Sequence, residues 1–270
     1  MNKLLLNVTI FKIVVTCVWS FQTSNLNPKI KRIDSIQTFQ RNLVTNSVSQ
    51  RNEYDNVAVS EKDQEEIFQQ LGYIPSNLIS IAARRGGGIN TPLVLKTYPL
   101  NGGASRRKAK AEGVLTPFPT LYWFCCKEVG KAISDLERRG YVGKLEQRLR
   151  DEPGMVEQFI RCHNSYANER WYSLTEGHQQ YILKNERMLK ILRDSGIAGT
   201  DYEFFRFSKD PSIKCLHAHY GHYRGQMEKN NIQRKGEIND NSRSSVVENV
   251  NIVGKWIDDL LKDEFPDLIL

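Results

Sequence analysis

The chain is 270 residues long, carries a formal net charge of +7 at pH 7 and is 40% hydrophobic. A chain of this size and composition can bury the core of one ordinary domain, which excludes a wholly disordered protein. It contains neither a P-loop nor a G-x-G-x-x-G motif, which excludes the two commonest glycine-rich nucleotide-binding sites. Its five cysteines, including the adjacent pair Cys125 and Cys126, are not typical of a secreted disulfide framework, so we expect reduced thiols.

Residues 1–56 have the composition of a targeting leader. Residues 1–20 form an apolar run, interrupted by Asn7 and Lys12, that is typical of a signal peptide and too broken for a membrane span. Residues 21–56 are basic and rich in Ser, Thr, Asn and Gln, which predicts a transit-like disordered segment. The arrangement resembles the bipartite plastid leader of algae with complex plastids. We therefore expect a chloroplast protein with no membrane segment after processing, with secretion or mitochondrial import as the alternatives.

The pattern of residues 57–227 predicts a single α+β domain, in which four or five helices pack on a small antiparallel β-element. A helix is expected from Ser60 to Gly72, and strands near 92–99 and 119–125. Further helices are expected at 127–139, 142–149, 155–174 and from Pro211, with a helical piece at 181–192 inside a polar loop. Residues 228–245 predict a linker and 246–270 a C-terminal amphipathic helix.

Several of these segments resemble a known family when they are taken together and in order. They are Ile67–Gly72, Ile81–Arg84, Pro92–Thr97, Thr116–Trp123, the helix with His163, Tyr166 and Arg170, and Lys214–His217 with His222. The series resembles the domain-of-unknown-function family numbered 501 over about residues 61–226. The family implies no established activity. Its pattern has a cysteine soon after Ile81–Arg84, where this chain has Arg85, so a metal site that used that cysteine would lack one ligand here.

Residues 213–222 hold three of the five histidines and one cysteine, the side chains that ligate metals or exchange protons near neutral pH. If this segment is one helix, Cys215, His219 and His222 share a face and His217 points elsewhere. If the helix begins after His217, both Cys215 and His217 lie in the preceding turn. The family resemblance implies Cys215, His217 and His222. Adding Cys126 would complete a tetrahedral site with ligands suited to zinc.

A thiol-based enzyme is the second interpretation of the same segment. Cys215 would be the nucleophile, His217 or His222 its base, and Lys214 or Arg84 would hold an anionic substrate. No Asp or Glu can be identified from the sequence as the acid that would orient the base.

The third interpretation is that residues 213–222, and the other residues of the resemblance, have only a structural role. Cys215 would then belong to the core, and His163 and His217 would be buried with hydrogen-bond partners. His163 and Arg170 lie seven residues apart, on one face of their predicted helix. Thr116 and Thr120 flank a proline-rich segment that is typical of a rigid edge turn.

A non-catalytic adaptor is the alternative function. It would bind protein or RNA through its C-terminal helix and its basic segment, which is also the candidate site for an anionic ligand and consists of Arg106, Arg107, Lys108 and Lys110. The Cys/His site and the adaptor can be distinguished in a structure. A catalytic or metal site requires Cys126, Cys215 and the histidines to converge, and an adaptor does not. We therefore expect an uncharacterised plastid protein with a Cys/His site, or else an adaptor.

Overall fold

The central strand of the sheet, β2 (Pro92–Thr97), is buried along its whole length. The edge strands β1 (Leu78–Arg84) and β3 (Tyr122–Phe124) pair with it on either side, both antiparallel. Leu95 is opposite Ile81 on one side and Trp123 on the other. This computed structural model describes residues 59–102, 115–208, 210–236 and 249–270. The leader and the basic segment 106–110 lie outside them, so the interpretations of both stay predictions.

The described residues include nine α-helices, which with the sheet confirm the α+β fold class. They are α1 (Glu61–Leu71), α2 (Lys127–Arg138), α3 (Tyr141–Asp151), α4 (Met155–Tyr172), α5 (Glu176–Leu183), α6 (Glu186–Leu189), α7 (Phe205–Ser208), α8 (Leu216–Gly236) and α9 (Ile252–Glu264). A π-helical turn (Lys190–Asp194) and a 3-10 turn (Ile197–Gly199) separate α6 from α7. The number of helices exceeds the prediction because α5, α6 and α7 are too short to show a clear hydrophobic period.

Local capping chemistry explains where two of these helices begin or end. The Ser60 side chain accepts the Asp63 N–H at the start of α1, and Gly72 ends that helix in a left-handed conformation with φ of 79°. Asn251 begins α9, where its Oδ1 accepts the Gly254 N–H at 3.0 Å. The predicted limits of α1 are therefore confirmed, and α9 begins later than position 246.

Helix α8 is the element that joins the sheet to the remaining helices. It packs against β1, β2 and β3 on one side and against α9 on the other, and its Leu216 and Tyr220 are fully buried in the main core. It continues to Gly236, so residues 228–236 belong to the helix and not to the predicted linker. Their polar composition misled the prediction, because a helix that is anchored by packing at one end can continue without an apolar face of its own.

The apolar face of α9 is buried in the same core, through side chains that include Val253, Trp256 and Ile257. None of the helices in the described part of the chain is long and apolar enough to span a membrane.

Candidate metal centre

The segment before α8 places Cys215 and His217 together. The helix begins at Leu216, so Cys215 immediately precedes it and His217 lies in its first turn. Residues 211–215 are not helical, and the prediction of a helix from Pro211 is wrong. The Ile213 N–H is bound instead by Glu146 Oε1 at 2.7 Å. The helix therefore begins later than a helix over all of 213–222 would, and earlier than one that begins after His217.

Helix α2 contributes a third group, Glu137. The ligand atoms of Glu137, Cys215 and His217 all lie within 4.8 Å of one another, and all three residues are half-buried. Glu137 Oε1 is 3.4 Å from His217 Nδ1 and accepts the Leu216 N–H at 2.8 Å. Across the described ranges, no other group of three His, Cys, Asp or Glu side chains meets this criterion.

The opposite nitrogen of His217 is held by the backbone of α2. His217 Nε2 lies 3.0 Å from the Gly130 carbonyl oxygen, with Ser134 Oγ at 3.4 Å. A Cβ on Gly130 would make only ordinary contacts, 3.9 Å from Nε2 and 3.4 Å from the Phe124 ring, so this approach does not depend on glycine. An Nε2–H that donates to the carbonyl leaves Nδ1 directed toward Cys215 and Glu137.

The three groups perturb one another's protonation. Burial alone would raise the pKa of Cys215, but hydrogen bonds from His217 and the Ala218 N–H outweigh it and the pKa is lowered. Burial alone would lower the pKa of His217, but its contacts with Cys215, the Gly130 carbonyl and the Glu137 charge raise it. The two pKa shifts run toward each other, as expected of a thiol and an imidazole that share a hydrogen bond.

The other two predicted zinc ligands do not belong to this group. Cys126 is buried at the start of α2, and His222 is buried with its Nδ1 3.2 Å from Asn251 Nδ2 and 3.8 Å from Cys162 Sγ. The predicted set of Cys126, Cys215, His217 and His222 is therefore not assembled. The reason is geometric, because five residues of continuous α-helix rotate His222 about 140° away from His217.

The two candidate anion-binding cations occupy different places. Arg84 makes two 2.8 Å hydrogen bonds to the Asp63 carboxylate and donates to the Asn90 carbonyl at 3.0 Å. It lines a cavity of about 320 Å³ to which neither Cys215 nor His217 contributes. Lys214 adjoins Cys215 in the chain, and its Nζ donates to the Gly199 carbonyl at 2.7 Å. Lys214 therefore lies near the site, whereas Arg84 forms an ion pair with Asp63.

His163 and Arg170 lie two turns apart on one face of α4, and both are buried. His163 Nδ1 accepts the Ile197 N–H at 2.9 Å. Arg170 donates to backbone carbonyls of Leu192 at 2.8 Å and Pro119 at 3.0 Å, and also to that of Ser195. Both side chains are fully buried and contact no member of the Glu137, Cys215 and His217 group by hydrogen bond.

The segment from Thr116 to Thr120 is held as a rigid edge. The Thr116 N–H donates to Asn101 Oδ1 at 2.9 Å, and Thr97 Oγ1 donates to the Thr120 carbonyl at 2.6 Å. The Tyr166 hydroxyl accepts the Leu121 N–H at 2.7 Å and lies 3.3 Å from the Pro119 carbonyl oxygen. These contacts support the expected edge turn.

Sequence reasoning missed two residues. Glu137 is 78 residues from Cys215 and is one of several carboxylates on an amphipathic helix, so nothing in its local pattern singles it out. Asn251 falls inside the predicted C-terminal helix 246–270, yet it caps α9 and contacts both His219 and His222. The sequence Asn-Ile-Val-Gly, which is typical of a helix start, was the available signal.

Comparison with known families gives one result, which agrees with the resemblance read from the sequence. The family described as "Protein of unknown function (DUF501)" matches residues 85–236, more than half of the chain. No curated protein and no solved structure matches the chain. The matched region includes all of α2 and α8, and therefore all three members of the Glu137, Cys215 and His217 group. The chain belongs to the DUF501 family.

Proposed function

We propose that this protein is a metalloprotein that binds one zinc ion through Glu137, Cys215 and His217. The observation that carries the proposal is the convergence of a carboxylate, a thiol and an imidazole within 4.8 Å. Thiolate, imidazole and carboxylate are the ligands that zinc takes in proteins, and three protein ligands leave a fourth position for water or substrate. All three residues are half-buried, so the group lies at the edge of the core.

The orientation of His217 favours a metal ligand over a catalytic base. In a Cys–His–acid triad, one ring nitrogen faces the nucleophile and the other faces the acid. Here Nδ1 faces Glu137, whereas Nε2 lies against the Gly130 carbonyl. A backbone carbonyl on the second nitrogen is the usual support of a metal-binding histidine, because it fixes the tautomer and the direction of the ring.

A thiol-based enzyme is the second candidate, and one observation favours it. The Ala218 N–H and His217 both lower the pKa of Cys215 at the first turn of a long helix, which is the setting of many reactive thiolates. In that case Lys214 is the nearest cation in the chain for an anionic substrate. The same features would also prepare a thiolate to ligate a metal, so they do not separate the two candidates.

The adaptor alternative receives less support from the described residues. The apolar side of α9 packs against α8 and the main core, so that face of the helix is not available to a partner. An RNA-binding role for residues 106–110 remains a prediction. We propose a plastid location on the leader alone, and the absence of disulfides among the four described cysteines is compatible with it.

The test is a metal-binding measurement on the full-length chain, purified under reducing conditions and titrated with zinc in competition with a chromophoric chelator. We expect one zinc per chain, and a large loss of affinity in Cys215→Ser, His217→Ala and Glu137→Gln. Cys126→Ala is the matched control, since it removes a cysteine that the geometry leaves outside the site. Replacement of zinc by cobalt(II) should produce a thiolate charge-transfer band that disappears in Cys215→Ser.

The outcomes separate the hypotheses. Loss of binding in Cys126→Ala or His222→Asn, with Glu137→Gln unaffected, would favour the ligand set expected from the sequence. Failure of the folded wild-type chain to bind zinc or cobalt would overturn the metal proposal. Rapid alkylation of Cys215 in such a metal-free protein would leave the thiol-based enzyme as the better candidate.

A further inference from the structure

His163 carries a buried hydrogen-bond donor that has no acceptor. The side chain is fully buried, and its Nδ1 accepts the Ile197 N–H at 2.9 Å. Burial holds the pKa of His163 well below its usual range, so the ring is neutral at pH 7. A neutral ring with a lone pair on Nδ1 must carry its proton on Nε2. Nε2 has no partner among the described residues.

His219 presents the complementary case. Asn251 Oδ1 accepts the Gly254 N–H at 3.0 Å, and Asn251 Nδ2 lies 3.1 Å from the His219 carbonyl oxygen, so these two contacts fix the orientation of the amide. His219 Nδ1, 3.2 Å from Asn251 Oδ1, must therefore be the donor. Its Nε2 is left with a lone pair, and nothing in the described chain donates to it.

The two rings that carry these unpartnered atoms are neighbours. The rings of His163 and His219 are 5.4 Å apart between centroids and nearly perpendicular, at 85°. Both are completely buried. A third buried polar atom without a partner in the described residues, Thr200 Oγ1, lies in the turn beside them, where the Thr200 carbonyl accepts the N–H of Gly196. Gly196 itself is so close to His163 that a Cβ would lie 2.3 Å from Nδ1.

We propose that one buried water molecule bridges His163 Nε2–H and His219 Nε2. Buried polar groups in folded proteins are almost always hydrogen-bonded, and internal water is the usual partner when protein atoms are out of reach. The protonation of the two nitrogen atoms restricts which group can bind between them. The proton on His163 Nε2 excludes a ligated metal ion, and the lone pair on His219 Nε2 excludes an anion, so the site takes a small neutral group that both accepts and donates.

The water would complete a buried chain of hydrogen bonds. The chain begins at the Ile197 N–H, passes through His163, the water and His219 to Asn251, and ends at His222 Nδ1, 3.2 Å from Asn251 Nδ2. It would link the 3-10 turn, α4, α8 and the first turn of α9. The inference does not rest on the proposed zinc site, because none of its hydrogen bonds involves Glu137, Cys215 or His217.

The test is NMR spectroscopy of the full-length chain labelled with ¹⁵N-histidine at pH 7. Long-range ¹H–¹⁵N correlations should show His163 protonated at Nε2 and His219 protonated at Nδ1. A water-selective cross-relaxation experiment should give a direct cross-peak between His163 Hε2 and a long-lived water. Tyr202→Phe is the matched control and should keep the cross-peak, because it retains the ring stacked on His163 and removes a hydroxyl that bonds to Asn164 instead.

His219→Leu, checked for folding by its amide spectrum, should abolish the cross-peak. Its persistence there would overturn the proposal, since the water would not depend on the pair. The wild-type spectrum alone is also decisive, should the variant not fold. Reversed tautomers, a missing water cross-peak, or a scalar coupling directly across an Nε2–H···Nε2 hydrogen bond would each contradict the bridge.

Discussion

His217 Nδ1 lies 3.4 Å from Glu137 Oε1, and this contact connects the first turn of α8 to the last turn of α2. The same carboxylate oxygen accepts the Leu216 N–H at 2.8 Å, so Glu137 both caps α8 and faces the imidazole. One side chain thus fixes the start of the helix and the electrostatics of the candidate site.

Substitution of Glu137 by Gln should lower the pKa of His217 in the metal-free protein. Gln can still accept the Leu216 N–H, but it lacks the charge that contributes to the raised pKa. The measurement is an NMR titration of the His217 ring. Asp135→Asn is the control, because Asp135 on the same helix pairs with Arg138 and Arg139. An unchanged His217 pKa in Glu137→Gln would contradict the assigned contact.

Cys215 should be the cysteine that a small alkylating reagent labels first among those described. Cys125, Cys126 and Cys162 are buried, and burial raises the pKa of the Cys125 thiol to about 12 and that of Cys162 further, whereas the pKa of Cys215 is lowered. Peptide mapping after brief treatment at pH 7 should find the label on Cys215, and bound zinc should slow it. Preferential labelling of a buried cysteine would show that the core opens readily.

The parts of the fold that follow local rules could be predicted from the sequence. Helix α1 carries its own start and stop signals in Ser60 and Gly72, and β2 is a β-branched and aliphatic run after a proline. β1 was not recognised as a strand, because register shifts along it blur the alternation of buried and exposed side chains. The fold class was therefore accessible, but its third strand was not.

The candidate site could be predicted only in part, for a different reason. Cys215 and His217 are close in sequence, and their chemistry marks them without any knowledge of the fold. Glu137 reaches them through the packing of α2 against α8, a contact between distant segments that no local pattern encodes. His222 lies outside the group that the structure brings together, because α8 begins at Leu216 and positions 217 and 222 point in different directions on it.

Replacement of Arg170 by Leu should destabilise the protein by about 3 kcal/mol, because carbonyls of Pro119, Leu192 and Ser195 would lose a buried donor. Urea unfolding measures the change. Arg187→Leu on the exposed side of α6 is the control and should stay within about 0.5 kcal/mol of wild type. Equal effects of the two substitutions would show that the buried guanidinium contributes no net stability.

Stability should fall as the pH drops from 7 to 5. Burial lowers the pKa of His222 to about 3 and that of His163 well below its ordinary value, so the unfolded chain binds protons near pH 6.5 that the folded chain does not. The free energy of unfolding should therefore decrease, by about 2 kcal/mol for His222 alone over this interval. The raised pKa of His217 opposes this decrease, because the folded chain binds that proton more tightly than the unfolded chain, whereas the lowered pKa values of Asp63 and Glu169 act only below about pH 4.5.

Urea unfolding at the two pH values measures this effect. His222→Asn is the comparison, because it removes one buried imidazole and should reduce the pH dependence. A free energy of unfolding that is constant between pH 7 and 5 would mean that the buried histidines are already protonated or become exposed in the folded state.

Gly196→Ala should be strongly destabilising although the backbone there is not left-handed. Its φ is −88°, so the conformation itself suits alanine, but the added Cβ would lie 2.3 Å from His163 Nδ1 and 2.9 Å from His163 Cβ. The ring would have to move, and the hydrogen bond from the Ile197 N–H to Nδ1 would break. We expect a cost of at least about 2 kcal/mol in thermal or urea unfolding, since overpacking of a fixed buried ring is not relieved by rotamer changes.

Gly177→Ala is the matched comparison, because Gly177 lies in α5 with nothing within 4 Å of its Cβ position. It should be neutral or stabilising by about 0.5–1 kcal/mol. If the two substitutions behave alike, His163 is not held against the 196–200 turn, and the buried chain of hydrogen bonds that starts there is not formed.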